Sequence, residues 1–349
     1  MGDNSNKSHN KEGQEAKDEI NREIKCLFGW IDSLDRQALL RQLSRNNLPT
    51  NGSVECLKSR LKSFMEKRKL ASFDNSYNNV KTLFPYYVVL DFEATCNEVN
   101  PPDFEHEIIE FPAVLVNTEK LAIVDRFQAF VKPVLNPILT PFCKTLTGIE
   151  QEQVDIAAEF PEVLAQFEQW LSKHKLGTKN KFAMVTDGPW DMGRFLFGQC
   201  DISNIDYPNF GKKWINLRKC FSQFYKCDRV LQHKIKQKKF KLRLQLMLEK
   251  LGMEFEGHPH CGLDDATNIA HLLIRMIQDG ASIDINERIQ LRHKLTPKSN
   301  VENQANSSNK PAWPVKPLHN NAYSRTYSQA LKDKQAAAEK EKQPTNHHH

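Results

Sequence analysis

A short apolar stretch that ends in two acids constrains the fold of this chain more than any other feature. Residues 86–90 (YYVVL) are aromatic and β-branched, which predicts a buried strand, and they run directly into Asp91-Phe92-Glu93. Alternate residues of a strand point to the same face, so we expect Asp91 and Glu93 to lie side by side. Adjacent carboxylates repel each other unless cations neutralise them, and hard divalent cations bind oxygen ligands. Solvated acids at an exposed strand end would give the same pattern, so this motif alone is weak.

The segments that follow predict an α/β domain. Residues 112–133 form two apolar stretches separated by a turn, which indicates an antiparallel meander, and residues 139–174 predict two helical stretches. A further short strand leads to Asp191 in the first turn of a helix. A last helix with a continuous apolar face opens at Leu263-Asp264-Asp265, and His260 precedes Asp265 by five residues.

Four carboxylates and one histidine in this order resemble the DEDDh branch of 3′–5′ exonucleases. Asp91 and Glu93 match the D-x-E motif, Asp191 matches the second motif, and His260 and Asp265 match H-x4-D. The segments DFEATC, LTGI, WDM and PHCGLDD resemble in particular the eukaryotic histone-mRNA and Eri-type 3′ exoribonucleases. The resemblance implies an RNase H-like α/β fold, a mixed five-stranded sheet with flanking helices, over residues 84–293.

The resemblance also implies a role for each matching residue. The expected ligands of two Mg²⁺ ions, for which Mn²⁺ would substitute, are Asp91, Glu93, Asp191 and Asp265. Glu93 and His260 are the expected catalytic residues, with His260 as the general base that deprotonates water. Two nearby residues match these motifs less well. The residue five positions after His258 is Leu263 rather than an aspartate, and Asp187 is expected to shape a turn.

The same resemblance suggests which residues bind the substrate. Ala94 is expected to meet the terminal ribose, and His260 also lies where the substrate binds. Aromatic and aliphatic candidates for packing the terminal base are Phe142, Leu146 and Trp190. Side chains of this kind at such spacings also occur in ordinary cores, so these assignments rest on the resemblance alone.

Residues 33–70 predict a small helical unit that resembles a SAP domain, a two-helix nucleic-acid-binding module. Asp35 and Ser53 are placed to cap its two helices, and Asn51-Gly52 supplies a turn with a positive φ. The second helix has a basic face, which is either a solvated surface or an RNA-binding surface. We expect RNA contacts from Lys58, Arg60 and Lys62.

The remaining segments are polar. We expect residues 1–32 to be a mostly disordered leader, residues 71–83 a linker and residues 294–349 a disordered tail. Residues 229–243 carry seven Lys or Arg and no acid, which suggests a basic insertion in the nuclease domain. The expected phosphate contacts in it are Lys236, Lys238 and Lys239, with Lys241 beside them.

Composition excludes several classes of protein. The eight cysteines show no C-x-x-C spacing, so neither a disulfide scaffold nor a structural zinc module is expected. Reduced thiols fit a cytoplasmic or nuclear protein, and the resemblance extends this to the nucleolus. No apolar run reaches the roughly 18 residues that a membrane span needs. The net charge of +6 permits a polyanionic partner without requiring one.

These observations together predict a metal-dependent 3′–5′ exoribonuclease that releases nucleoside 5′-monophosphates. The family it resembles trims the histone mRNA 3′ stem-loop, matures the 3′ end of 5.8S ribosomal RNA and degrades small interfering RNAs. RNA stem-loops and short duplexes with 3′ overhangs are the expected partners, with stem-loop-binding protein and ribosomes as further candidates. A DNA-directed DEDDh exonuclease and a non-catalytic RNA-binding protein are the alternatives, although the intact catalytic positions argue against the second.

Overall fold

A mixed sheet flanked by helices forms the larger part of the molecule, and a helical unit precedes it. The computed structural model describes residues 5–73, 82–101, 103–225 and 243–289. The helical unit contains α1 (Ser5–Ser33), α2 (Arg36–Arg45) and α3 (Val54–Phe73). The strands are β1 (Tyr86–Leu90), β2 (Glu93–Ala94), β3 (Ile108–Asn117), β4 (Ala122–Phe130), β5 (Phe182–Thr186), β6 (Lys213–Asn216) and β7 (Glu287–Arg288).

Helices fill the connections between these strands. They are α4 (Pro141–Thr147), α5 (Gln151–Asp155), α6 (Phe160–Lys173), α7 (Phe197–Ile202), α8 (Leu217–Phe224), α9 (Leu244–Lys250) and α10 (Gly262–Asp279). A π-helix, Asp191–Leu196, leads into α7, and a 3-10 turn, Asn209–Gly211, precedes β6. The segment that predicted two helical stretches therefore contains three helices, because the left-handed Gly148 ends α4 before α5 begins.

The sheet has seven strands in the order β2-β3-β1-β5-β6-β7, and β4 pairs with β3. Strand β1 runs antiparallel to β3 and parallel to β5, and β5 runs parallel to β6. The predicted mixed five-stranded sheet is confirmed for the strands of four or more residues, and the two-residue strands β2 and β7 extend it. The predicted meander is confirmed as β3 and β4.

Alternation along β1 divides the core into two layers. Tyr87 and Val89 pack with α8, α9 and α10 on one face of the sheet, whereas Val88 and Leu90 pack with α6 on the other. Every residue of β3 is buried, because helices cover both faces of this central strand. Burial on both faces explains why the strand is mostly apolar, with Glu110 as its one charged residue.

The parallel strands carry the functional residues to one edge of the sheet. The carboxyl ends of β1, β5 and β6 meet there, and the N-terminus of α10 approaches the same edge. A Cβ on Gly262 would lie 2.9 Å from the Asp91 carbonyl oxygen and 2.9 Å from Glu110 Oε2. Only glycine permits this close approach of α10 to the end of β1.

The helical unit has a core of its own, made of Ile31, Leu39, Leu43, Leu57 and Leu61. Its predicted caps are confirmed, since the Asp35 side chain accepts from the Ala38 amide at 2.7 Å and Ser53 Oγ accepts from the Cys56 amide at 3.4 Å. Gly52 has the expected positive φ of 116°. In addition, α3 continues to Phe73, into the predicted linker.

The prediction of a mostly disordered leader over residues 1–32 is wrong, because α1 spans most of that segment. Ile24 and Ile31 are buried, and α1 packs against α3. The polar composition of this segment predicted disorder. Helices, however, gain most of their stability from packing one apolar stripe against a neighbouring element. Most of the remaining linker, the basic insertion except Arg243, and the predicted tail lie outside the described residues.

Two further expectations concern the composition of the chain. All seven cysteines that the structure describes are free thiols. Within the described residues, no helix is long and apolar enough to cross a bilayer.

Candidate active site

Asp91 and Glu93 lie where β1 ends and the short strand β2 begins. Glu93 is 5% exposed and lies opposite Glu110 of β3, with a register shift directly after it. Burial raises the pKa of both carboxyls well above the usual range, and neighbouring carboxylates raise it further. The strand motif therefore becomes a site with strong negative potential when its acids are ionised.

Asp191 begins the π-helix, at the position where an ordinary helix was expected. Its Oδ1 accepts a hydrogen bond from the Phe92 amide at 3.0 Å, which ties the third carboxylate to the D-x-E segment. Burial raises the pKa of Asp191 to about 7, although this hydrogen bond lowers it in part. The sequence predicted the placement of Asp191 but not the π-helical turn, a form that is often found at functional sites.

His260 and Asp265 come together through the turn that opens α10. The His260 amide donates to Asp265 Oδ2 at 2.6 Å, and His260 adopts a positive φ of 68°. Burial raises the pKa of Asp265 to about 8. Ligand atoms of Glu93, His260 and Asp265 all lie within 4.8 Å of one another. His258 is not part of this group, because its side chain is 88% exposed and its Nδ1 lies 3.9 Å from the Asp264 carboxylate.

The donor set suits a hard divalent cation. Asp91, Glu93, Asp191 and Asp265 supply only carboxylate oxygens, which magnesium and similar ions prefer. Their raised pKa values share one main cause, burial that leaves the ionised forms poorly solvated, and positive charge placed among them would relieve it. The residues present therefore fit a divalent metal centre.

Two features of the site were missed by sequence reasoning. Glu110 is 1% exposed and accepts from Gln128 Nε2 at 2.8 Å and from the Gly262 amide at 3.1 Å. Its side chain links β3 and β4 to the start of α10. The sequence pattern that could have revealed it is a single acid within an otherwise apolar strand. Asp187 pairs with Arg218, whose positive charge lowers the pKa of Asp91 and of Asp191. Sequence reasoning assigned Asp187 only to a turn and did not predict its pairing with Arg218.

The expected base-binding residues differ in how they are placed. Trp190 is half-buried, with the Arg194 guanidinium carbon 4.8 Å from its ring centroid, and Phe142 is half-buried in the first turn of α4. Ala94 is buried in β2. Leu146 is 0% exposed inside a cluster with Cys143 and Val154, so its side chain has no surface on which a base would pack. The helical period of α4 turns Leu146 into the core, and the ribose and base contacts of the others remain predictions.

The prediction that Arg60 contributes to an exposed basic face is wrong. Its side chain is 1% exposed and forms an ion pair with Asp279 of α10, with Nε to Oδ1 at 2.7 Å. Lys58 Nζ donates to the Asp32 carbonyl at 2.7 Å, and Lys62 Nζ pairs with the Asp32 carboxylate at 2.6 Å. The face of α3 that carries them therefore packs on neighbouring elements. Lys236, Lys238 and Lys239, with Lys241, lie outside the described residues.

The helical unit is held on the nuclease domain by backbone contacts as well. The Ser53 amide donates to the Lys250 carbonyl at 2.7 Å, and Asn51 Nδ2 donates to the Gly252 carbonyl at 3.0 Å. A Cβ on Gly252 would lie 2.8 Å from the Gly52 nitrogen, so two glycines meet backbone to backbone. These contacts fix the position of the unit relative to the end of α9 and the turn that follows it.

Comparison with known proteins identifies the family. Residues 88–273 match the exonuclease family model RNase T. Human 3′-5′ exoribonuclease 1 is 44% identical over 81% of this chain and 78% of its own length, and the fission yeast 3′-5′ exonuclease eri1 is 33% identical over 70% and 87%. The chain belongs to the Eri-type 3′–5′ exoribonuclease family. It is an enzyme of the DEDDh exonuclease type, with the divalent-metal dependence of that type.

Solved structures agree with this membership in the Eri-type family. The nuclease domain of the DEDDh exonuclease 3′hExo bound to rAMP is 50% identical, with a TM-score of 0.56 over 60% of this chain and all of that one. A 3′-exonuclease structure concerned with recognition of the histone mRNA stem-loop is 46% identical, with a TM-score of 0.55 over 62% and 95%. These similarities confirm the RNase H-like fold of the Eri-type nuclease domain in this chain.

Proposed function

We propose that this exoribonuclease removes nucleotides one at a time from the 3′ ends of structured RNA, with Mg²⁺ as its metal and Mn²⁺ as a substitute. The main observation behind this proposal is that five residues lie together at the edge where the parallel strands end: Asp91, Glu93, Asp191, Asp265 and His260. Mg²⁺ is favoured because it accepts carboxylates, phosphate oxygens and waters together. The 3′-exonuclease relative that recognises a histone mRNA stem-loop supports a structured substrate.

The residues around the scissile bond have distinct tasks. When bound, two divalent ions would stabilise the charge that develops on the attacking and leaving oxygens. His260 accepts the proton of the attacking water, since an imidazole is basic near neutral pH. Asp265 receives a hydrogen bond from the His260 amide and so fixes the turn that presents the imidazole. Asp191 accepts a hydrogen bond from the Phe92 amide and so holds the D-x-E segment next to the π-helix.

The helical unit is proposed to act in RNA recognition. Residues 33–70 contain the two helices expected of the proposed SAP module. Contacts with α9 and α10 hold these helices at a fixed position relative to the active site. Because Arg60 is buried and Lys62 is paired, RNA contacts would come from exposed cations on α2, namely Arg36, Arg41 and Arg45. We place the histone mRNA stem-loop, the 5.8S ribosomal RNA 3′ end and small interfering RNAs among the substrates.

Protein partners and cellular location follow from the same substrates. Stem-loop-binding protein and ribosomes are proposed partners, because the proposed substrates are found with them. We propose that the enzyme acts in the cytoplasm and the nucleus, including the nucleolus, where ribosomal RNA matures.

A matched pair of oligonucleotides tests the proposed activity. A stem-loop with a 3′ tail is made as RNA and as DNA and incubated with the full chain, in Mg²⁺ or in a chelator. We expect stepwise shortening of the RNA tail in Mg²⁺, slower loss of the DNA tail, and no shortening in the chelator. Asp91→Ala should abolish shortening of both. Faster degradation of the DNA would favour the DNA-directed alternative.

A further inference from the structure

A groove of about 420 Å³ lies between strand β4 and the flank of helix α10, apart from the carboxylate cluster. Its apolar side chains are Ile123, Met253 and Ile274. Its cationic side chains are Arg126 and Arg275, and His271 also lines it. At about 1.5 Å of rise per helical residue, Arg275 lies roughly 15 Å along α10 from Asp265. The groove therefore lies on the helix that begins in the active site, but outside the site itself.

The groove carries positive charge that the described residues do not fully neutralise. Arg126 is exposed and forms no ion pair within the described parts of the chain. The carboxylate of the neighbouring Asp125 lies on the other face of β4 and does not pair with Arg126. There it accepts a hydrogen bond from Trp170 Nε1 at 3.0 Å and contacts His174 Nε2 at 2.6 Å. An anion entering the groove would therefore meet a guanidinium that has no acidic partner among the described residues.

The second arginine is only partly compensated. Arg275 Nε donates to Asp279 Oδ1 at 3.1 Å, but the same carboxylate pairs with Arg60. One carboxylate thus serves two guanidinium groups, which leaves an excess of positive charge. His271 lies nearby, with its Nδ1 3.7 Å from the Glu256 carboxylate, whose side chain is 70% exposed. A solvated acid of this kind offsets little of the local charge.

A hydrogen bond connects one end of the groove to the helical unit, and strand β4 leads from the groove toward the active site. Arg275 Nη2 donates to Asn51 Oδ1 at 2.7 Å, in the turn between α2 and α3. Gln128, two residues from Arg126 on the same face of β4, donates to Glu110, which in turn accepts from the Gly262 amide at the start of α10. The groove therefore lies between the helical unit and the active site.

We propose that this groove binds one nucleotide of the RNA substrate upstream of its 3′ end. Phosphate would pair with Arg126 and Arg275, and the base or ribose would pack on Ile123, Met253 and Ile274. The volume is that of a small-molecule pocket, which suits one nucleotide better than the apolar face of a protein helix. At about 3.4 Å per stacked nucleotide, a distance of roughly 15 Å corresponds to four or five steps upstream of the 3′-terminal nucleotide. The proposal rests on the proposed exoribonuclease function.

The test compares RNAs that reach the groove with RNAs that do not. kcat/KM is measured on a decanucleotide and on a trinucleotide for the wild type, Arg126→Glu and the control Lys179→Glu, an exposed charge reversal on the turn before β5. We expect Arg126→Glu to lower the ratio of kcat/KM on the decanucleotide to kcat/KM on the trinucleotide about tenfold. The slope of log binding constant against log salt concentration for the decanucleotide should become shallower by about one. Lys179→Glu should change neither quantity, and thermal unfolding checks that both variants are folded.

Other results would overturn the groove assignment. Equal ratios for Arg126→Glu and Lys179→Glu would exclude a nucleotide in the groove. Binding of a synthetic peptide of Glu and Leu to the wild type but not to Arg126→Glu, with an unchanged ratio, would assign the groove to an acidic protein instead. If the wild type cleaved neither RNA, the proposed function would fail, and equilibrium binding of the decanucleotide to Arg126→Glu would still decide the groove.

Discussion

Arg60 of the helical unit and Asp279 of helix α10 form an ion pair in which each side chain is only 1% exposed, with Nε to Oδ1 at 2.7 Å and Nη2 to Oδ2 at 3.0 Å. The Tyr225 hydroxyl also donates to Asp279 at 2.8 Å, and Arg60 Nη1 donates to the Asn51 carbonyl at 3.0 Å. The pair is thus fully hydrogen-bonded, as a buried pair must be to offset its desolvation. It joins the two parts of the molecule.

Removing Arg60 should destabilise the protein strongly. Arg60→Ala leaves the Asp279 carboxylate buried with fewer partners, and breaking a buried pair in this way costs about 3–5 kcal/mol. The measurement is the free energy of unfolding in urea. Lys62→Ala is the matched control on the same helix, since its partner Asp32 is 57% exposed and such a pair contributes about 1 kcal/mol or less. Equal losses from the two variants would show that the Arg60 pair does not hold the parts together.

Replacing His260 should slow cleavage without unfolding the protein. We choose His260→Asn because asparagine tolerates the positive φ of 68° but cannot act as a general base. The expected fall in kcat is about 10²–10⁴-fold, the usual effect of losing a general base. His258→Asn is the control, and a larger loss from this exposed position would mean that the wrong histidine has been assigned.

The glycine at the start of α10 should not tolerate a side chain. In Gly262→Ala the new Cβ would lie 2.9 Å from the Asp91 carbonyl oxygen, so α10 must shift away from the carboxylate edge. We expect lower thermal stability and a loss of activity larger than the loss of stability explains. Gly29→Ala, whose Cβ meets nothing within 4 Å on α1, should instead stabilise the protein by about 0.5–1 kcal/mol. An active, stable Gly262→Ala variant would contradict the packing of α10 against β1.

Stability in the absence of metal should fall as pH rises. Burial raises the pKa of Asp191 to about 7 and that of Asp265 to about 8, whereas an unfolded aspartate titrates near pH 3.9. Between these limits the folded state binds more protons than the unfolded state, so the free energy of unfolding decreases with increasing pH. Metal binding requires the deprotonated carboxylates, so added Mg²⁺ should stabilise the protein more at higher pH.

Thermal unfolding at about pH 5.5 and about pH 8.5, with chelator or with Mg²⁺, measures this effect. The midpoint with chelator should be lower at the higher pH, and the increase caused by Mg²⁺ should be larger there. Asp265→Asn should reduce both differences. A Mg²⁺ effect that does not change with pH would argue that these carboxylates do not hold the metal.

The local motifs of the site were predictable from the sequence because each has a short-range cause. The strand before Asp91, the turn before Asp265 and the caps of α2 and α3 depend on neighbouring residues. The partners that come from distant segments were not predictable. Arg60 looked like one of several surface cations on a basic helix, and only the docking on α10 shows that it is buried. Glu110 looked like an interruption of a strand until the Gly262 amide was placed beside it.

The most direct test of the central claim is the identity and order of the products from a 3′-tailed stem-loop RNA. The RNA carries one label on its 5′ end and another on its 3′-terminal nucleotide, and the full chain is added with Mg²⁺. The exoribonuclease assignment predicts that the 3′ label appears first, as a nucleoside 5′-monophosphate, while the 5′-labelled RNA shortens one nucleotide at a time. Release of internal fragments, of 3′-monophosphates, or of the 5′ label before the 3′ label would contradict it.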